Sequence, residues 1–194
     1  MALTDKAFSV LVVSTAENFN STMAAMLPES RYQPVRYAGS ISAAQRAVAQ
    51  RSYDFVIINT PLSDDPGVRF AIDCSTSGKA LVLLLVRNEI HADIYDKVAR
   101  HGVFTLPKPM SRQAMDTALR WLTTAKTKLQ SAEKKSTKME DKMEEIRLVN
   151  KAKWLLISKE GLLEPEAHRT IEKEAMDRCV TKKEIAKEII DKYN

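Results

Sequence analysis

The chain has 194 residues, of which 44% are hydrophobic, enough for a packed core in one or two domains. Its formal net charge of +5 is compatible with a nucleic-acid partner without indicating one. Cys74 and Cys179 stand alone, which disfavours a disulfide framework or a CxxC metal site, and the longest apolar run, residues 80–86, is too short to cross a membrane, so a cytoplasmic protein is expected.

Strands and helices alternate in the amino-terminal half. Short apolar runs predict strands at residues 8–13, 55–58, 80–86 and 103–106, and residues 33–37 predict a weaker strand. Helical spacing predicts helices at 17–27, 40–50 and 90–100, the second capped by Ser40. This alternation is typical of an α/β fold, a doubly wound five-stranded parallel sheet covered on both faces. The functional crevice of such a sheet lies at the carboxyl ends of its strands.

The residues at those strand ends make this half similar to a response-regulator receiver domain, which is flavodoxin-like. In that family an acidic pair binds Mg²⁺, an aspartate accepts a phosphoryl group, a Ser or Thr ends the fourth strand and a Lys-Pro pair follows the fifth. The corresponding positions here are Ser14, Thr15, Asn59, Val86 and Lys108. Neutral hydroxyls are poor Mg²⁺ ligands, and an amide cannot form an acyl phosphate. The resemblance therefore predicts a pseudo-receiver, residues 1–120, that works without phosphorylation.

Lys108 has two interpretations. Either its side chain contacts Asn59 or an anion in the pocket, or Lys108-Pro109 only preserves a turn, with the cis peptide bond found in the family. Asp64 and Asp65 could be displaced phosphoacceptors. They lie beyond Asn59 in a predicted loop, which disfavours that role.

A long helix is predicted from about residue 112 to residue 158, because this stretch contains no Gly or Pro. Apolar or small residues recur in it alternately four and three apart, the spacing of a coiled-coil seam. The predicted dimer seam is Leu122, Ala125, Leu129, Ala132, Met139, Met143, Ile146 and Asn150. Asn150 at an a position favours a parallel two-stranded pairing. Residues 121–148 are thus a predicted coiled-coil linker; a solvated spacer helix or an intramolecular hairpin is the alternative.

Residues 149–194 predict an all-α module of three helices. Gly161 suits the left-handed position after the long helix, Pro165 suits the first turn of the next, and Thr181 with Glu184 forms a capping box. The predicted core residues are Trp154, Leu155 and Leu156 on the long helix, Ala167, Ile171, Ala175 and Cys179 on the middle helix, and Ile185, Ala186, Ile189, Ile190 and Tyr193 on the last.

This module resembles the ANTAR domain, the RNA-binding module of AmiR- and NasT-type transcription antiterminators. The matching residues are Ala152-Lys153, Gly161-Leu162, Glu166 to Arg169, Ala175 to Asp177, Thr181 and Glu184 to Ala186. Trp154 departs from the family, which usually has a small residue there. The resemblance implies a homodimer that binds paired stem-loops in a nascent leader transcript, with a possible sensor protein on the pseudo-receiver. It implies no enzyme activity, cofactor, metal or membrane.

Basic or planar residues at outward positions of the module are its candidate RNA contacts, since phosphate neutralisation supplies much of nucleic-acid affinity. They are Lys151, Lys153, His168, Arg169, Lys173, Arg178, Lys182, Lys183 and Lys187. Each could instead be a solvated side chain among the neighbouring glutamates. Two other functions stay open: a DNA-binding response-regulator-type transcription factor, and an interaction or scaffold protein without a nucleic-acid partner.

Overall fold

The computed structural model describes residues 7–78 and 80–193, and its contacts divide the chain into two compact units between Thr127 and Lys128. The predicted boundaries after residues 120 and 148 do not coincide with this division. Most of the predicted linker, from residue 128 onward, groups with the second unit. Among the described residues, no helix combines the length and apolar character needed to span a bilayer.

The first unit is a five-stranded parallel sheet with helices on both faces, which confirms the predicted fold class. The strand order is β2-β1-β3-β4-β5. The elements are β1 (Phe8–Val13), α1 (Glu17–Met26), β2 (Tyr32–Ala38), α2 (Ile41–Gln50), β3 (Phe55–Asn59), α3 (Val68–Thr76), β4 (Leu81–Arg87), α4 (His91–Val98) and β5 (Phe104–Lys108), with 3₁₀ turns at Asn88–Ile90 and Ala99–His101 flanking α4.

Local sequence rules account for most of these elements. The Ser40 hydroxyl caps α2 by accepting a hydrogen bond from the Ala43 amide, as predicted. All five residues of β3 are buried, as expected of a central parallel strand. Helix α3 was not predicted from the sequence, because its nine residues form fewer than three turns, too few for a helical period to stand out. It nevertheless buries Phe70, Ala71 and Cys74.

The two faces of the sheet carry separate cores. One face packs on α2, α3 and α4, and the other packs on α1 and the first turns of the long helix α5 (Arg112–Glu160). Leu122 belongs to the second core with 1% of its surface exposed. The assignment of Leu122 to the dimer seam is therefore corrected: its own chain already covers the side chain, so a seam can begin only after it.

The second unit contains the remainder of α5 together with α6 (Glu164–Asp177) and α7 (Lys182–Tyr193). Gly161 ends α5 at a φ of 72°, Pro165 lies in the first turn of α6, and Thr181 and Glu184 cap α7 reciprocally. Each of these local predictions is confirmed. The buried core residues are Val149, Ala152, Leu156, Ala167, Ile171, Ala175, Ile185, Ala186, Ile189 and Ile190.

Two predicted core residues of this unit are exposed, and two others, Leu155 and Tyr193, are half-buried. Cys179 is exposed, because α6 ends at Asp177 and Cys179 has a φ of 52° beyond the helix. Trp154 is 71% exposed. The core face of α5 is set by Ala152 and Leu156, and a residue two positions from either points to the opposite side of a helix. The tryptophan therefore faces solvent.

Candidate functional site

The carboxyl ends of β1, β3 and β5 bring three of the five predicted pocket residues into one hydrogen-bonded chain. The Asn59 amide nitrogen donates to Ser14 Oγ at 3.1 Å, and Lys108 Nζ donates to Asn59 Oδ1 at 2.8 Å and also to the Thr60 carbonyl. Thr15 is exposed, and Val86 lies in the apolar core. The pocket therefore consists of a hydroxyl, an amide and an ammonium group.

Lys108 is held by uncharged oxygens. Burial, and secondarily the charge of Arg87, lowers the pKa of Lys108 from its ordinary value. The contact with Asn59 agrees with the first sequence interpretation, so Lys108 does more than preserve a turn. The Lys108-Pro109 peptide is cis.

The hydroxyl of Ser14 has no acceptor capacity left for a cation. Ser14 Oγ accepts from the Ala16 amide at 3.1 Å as well as from Asn59, which engages both of its lone pairs. Within the described ranges, no group of three His, Cys, Asp or Glu residues could hold a metal ion. Asn20, which the sequence analysis missed, donates to the Ser14 carbonyl at 3.4 Å. The pocket thus offers an Mg²⁺ ion no acidic ligands at the family positions.

The two acidic residues considered as displaced phosphoacceptors support the loop after β3. Asp64 accepts hydrogen bonds from the Ser42 and Ile41 amides at 3.0 Å each, and these bonds lower the pKa of its carboxyl. Asp65 accepts from the Gly67 amide at 2.6 Å. Both carboxylates therefore serve as caps for the backbone of α2 and of the turn before α3.

In the second unit, the nine candidate RNA contacts fall into two sets. The ion-paired set consists of Lys153, His168, Arg178, Lys182 and Lys183, each within 4.0 Å of a glutamate oxygen. The open set consists of Lys151, Arg169, Lys173 and Lys187, all of which are exposed. Within the described part of the chain, their side chains make no ion pair or hydrogen bond. Of the nine candidates, these four present cationic heads that no described protein group holds.

The ion-paired set connects the three helices of the module. The pairs are Lys183 with Glu144 at 2.6 Å, Lys182 with Glu172 at 2.7 Å, Arg178 with Glu188 at 2.5 and 2.7 Å, and Lys153 with Glu164 at 3.1 Å. Each of the first three cations lowers the pKa of its glutamate, chiefly through the hydrogen bond between them. These residues orient the helices, which is a structural role that their spacing in the sequence did not indicate.

The Ala-Lys pair that matched the family is divided between core and surface. Ala152 is fully buried among α6 and α7, whereas Lys153 keeps 16% of its side chain exposed beside Glu164. Lys153 is one of the nine candidate RNA contacts, and in the structure its charge is already partnered by Glu164. The open set is therefore the stronger candidate.

Two adjacent depressions lie on the surface of α5, and both are lined by Asn150 and Lys153. The smaller, of about 190 Å³, also contains His168 and Lys182 in its wall, so it brings three candidate RNA contacts together. The larger, of about 460 Å³, is lined by Asn150, Lys153, Trp154, Ile157, Leu162, Leu163 and Glu164.

Several predicted seam residues are uncovered on α5 of a single chain. The large ones are Leu129, Met139, Met143 and Ile146, which are about half to two-thirds exposed, and Ala132 and Asn150 are exposed with them, whereas Ala125 is half-buried. Four large apolar side chains at one helical repeat form an exposed stripe of the kind that normally pairs with another surface.

Comparison with known proteins finds a family match within the second unit. The ANTAR domain family model matches residues 137–190. The transcriptional regulatory protein PdtaR of Mycobacterium tuberculosis, found in strains CDC 1551 and H37Rv, is 25% identical over 183 residues, which are 94% of this chain and 89% of the relative.

The first unit is similar in fold to solved receiver domains. The signal receiver domain of an HD domain-containing protein from Pseudomonas fluorescens Pf-5 superposes with a TM-score of 0.57 at 19% identity, covering 68% of this chain and 96% of that one. The chemotaxis response regulator CheY4 of Vibrio cholerae gives 0.52 at 16% identity, covering 60% and 99%. At these identities the likeness concerns the fold alone.

Proposed function

We propose that this chain, an ANTAR-domain regulator with a receiver-like amino-terminal domain, binds RNA stem-loops in nascent leader transcripts and prevents transcription termination. The observation that carries the proposal is the open set on a module that matches the ANTAR model. Exposed cations without protein partners can neutralise phosphates without first breaking an ion pair. Regulation, rather than catalysis, is the activity of such a chain.

The proposed active form is a parallel homodimer. Leu129, Met139, Met143 and Ile146 form the exposed stripe that supports it, with Asn150 at the a position next along. A dimer carries two RNA-binding modules, so two adjacent hairpins can be bound at once with a large gain in affinity over either alone. Holding both hairpins would compete with a terminator structure that uses the same RNA.

The receiver-like domain is proposed to act without phosphorylation. Asn59 lacks a nucleophilic carboxylate, Ser14 is engaged by two donors, and Val86 supplies no hydroxyl. We propose that a sensor protein docking on this domain supplies the signal in place of a phosphoryl group.

Asn59→Asp alone is expected to leave the chain without phosphoryl uptake from acetyl phosphate and Mg²⁺ above the wild-type background. The new carboxylate would accept from Ser14 and Lys108, but the two positions of the acidic pair would still carry neutral hydroxyls. Intact-protein mass spectrometry measures the uptake. The matched variant Ser14→Asp/Thr15→Asp/Asn59→Asp supplies the pair, and uptake by the single variant equal to that of the triple one would contradict this account.

The proposed function is tested with RNA selected by the full chain. A pool of two adjacent short hairpins with randomised loops is enriched for retention by the protein, and the product is called the tandem-hairpin RNA. Fluorescence anisotropy at one fixed salt concentration then compares this RNA with each hairpin alone and with duplex DNA of the same sequence. Tight binding of the tandem-hairpin RNA only is expected. Failure of the pool to enrich, or equal binding of duplex DNA, would overturn the proposal.

A further inference from the structure

Trp154 exposes a large aromatic surface on the ANTAR module. Its side chain is 71% exposed, although an indole of this size is normally buried for most of its area. It stands at the position where the resembling family has a small residue, directly after the Ala152-Lys153 pair. Neither the fold nor the packing of the core uses this ring.

The ring forms one wall of the 460 Å³ depression on α5. The apolar residues of the depression are Ile157, Leu162 and Leu163, of which Leu163 is largely exposed. A flat aromatic wall beside apolar surface suits a flat molecule.

Apart from Glu164, which pairs with Lys153, the charged side chains around the ring are cationic. On the exposed face of α5, Lys151 precedes Trp154 by three residues and Arg147 precedes it by seven, so both lie on its side of the helix. Neither makes an ion pair among the described residues. An anionic chain could therefore place a phosphate on either cation while one of its flat groups rests on the indole.

We propose that Trp154 is a stacking site for an unpaired base in the loop of a bound RNA hairpin, with Lys151 facing the phosphate of that nucleotide. The inference rests on the proposed RNA-binding function and names the part of the RNA that this site takes. RNA loops present unstacked bases, and proteins commonly bind them by stacking on aromatic rings.

A second copy of the chain is the other occupant considered for this surface. The seam spacing continues from Asn150 to Lys153, so Trp154 lies beside the seam. Covering the ring with another basic chain would bring the cations of both copies together, since each chain carries a net charge of +5. Charge complementarity favours the nucleotide.

The test uses a full chain carrying Trp121→Phe. The sequence has two tryptophans, so this change leaves Trp154 as the single fluorescent indole. Adding tandem-hairpin RNA is expected to quench its fluorescence. Trp154→Leu, which keeps apolar bulk, should weaken the affinity about tenfold to a hundredfold, whereas Trp154→Phe should stay within about threefold of the parent. Loop nucleotides of the RNA are then replaced one at a time with abasic ones. At one position the replacement should weaken RNA binding by the parent chain and leave RNA binding by Trp154→Leu unchanged.

Three results would overturn the inference in distinguishable ways. Unquenched fluorescence with equal affinity in Trp154→Leu would mean that RNA binds elsewhere, and the proposed function would stand. Dissociation of the RNA-free dimer by Trp154→Leu, measured by sedimentation, would assign the ring to the second copy. Absence of any RNA binding by the parent chain would remove the proposed function and this site with it.

Discussion

Replacing Met139 and Met143 together with glutamine is expected to turn the dimer into a monomer and to weaken binding of the tandem-hairpin RNA about a hundredfold. The two side chains are 68% and 64% exposed in one chain, so their removal costs the fold of that chain little. In a dimer they would fill consecutive d and a positions of the seam, where a polar amide is poorly accommodated. Glutamine keeps helix propensity and adds no charge that would itself repel RNA.

Few other large apolar residues could hold the two helices together once these methionines are replaced. Ser136 and Ala132 are small, and Leu122 is already part of the core of the first unit. Most of the large apolar contact must therefore come from Leu129, Met139, Met143 and Ile146. Deleting two of four large residues removes about half of the apolar area that holds the helices together. We therefore expect dissociation instead of a small change in affinity.

Sedimentation velocity measures the oligomeric state, and anisotropy measures binding of the tandem-hairpin RNA and of each hairpin alone. Met176→Gln is the matched control, because Met176 on α6 is 77% exposed and lies outside the seam. The control should remain dimeric with parental affinity. A double variant that stays dimeric would contradict the assignment of the two methionines to the dimer seam. One that becomes monomeric and still binds the tandem-hairpin RNA with parental affinity would contradict the claim that RNA binding needs the dimer.

Most of the sheet could be predicted from the sequence because β1, β3 and β4 are local apolar runs. Residues 8–13, for example, form a strand with the predicted bounds, Phe8–Val13, which lies between β2 and β3 in the interior of the sheet. Such strands need no knowledge of their partners, since burial on both faces leaves a continuous apolar signature. Helix α3 was missed for the opposite reason, as its three buried residues acquire meaning only from the sheet they contact.

The sequence predicted which residues form the candidate sites better than it predicted which residues those side chains contact. Strand ends identified Asn59 and Lys108, and the structure joins their side chains at 2.8 Å. Sequence could not indicate that Lys183 pairs with Glu144, because the two residues are far apart in the chain and meet only through folding. The same holds for Leu122. Its position fits the spacing of the seam, but its side chain is buried in the core of the first unit. Periodicity marks an apolar face without saying which surface covers it.

The contrast between the open set and the ion-paired set leads to a second large effect. Arg169→Glu with Lys173→Glu is expected to weaken binding of the tandem-hairpin RNA by about tenfold per residue and to lower the slope of log affinity against log salt by about two. Both residues are exposed on consecutive turns of α6 and no ion pair within the described chain involves them. Their reversal therefore removes two phosphate partners without breaking a contact of the fold, so the melting temperature should not change measurably.

The control must separate local contact from a general loss of positive charge. Lys134→Glu with Lys138→Glu makes a charge-reversing double change on exposed positions of α5 that face away from the seam. If affinity depended only on the field of the whole chain, both double variants would weaken RNA binding similarly. A larger loss with the α6 variant, together with its smaller salt slope, would locate phosphate contacts on α6. Equal losses would mean that the open set acts only through net charge, and the RNA-contacting surface would have to be sought elsewhere on the module.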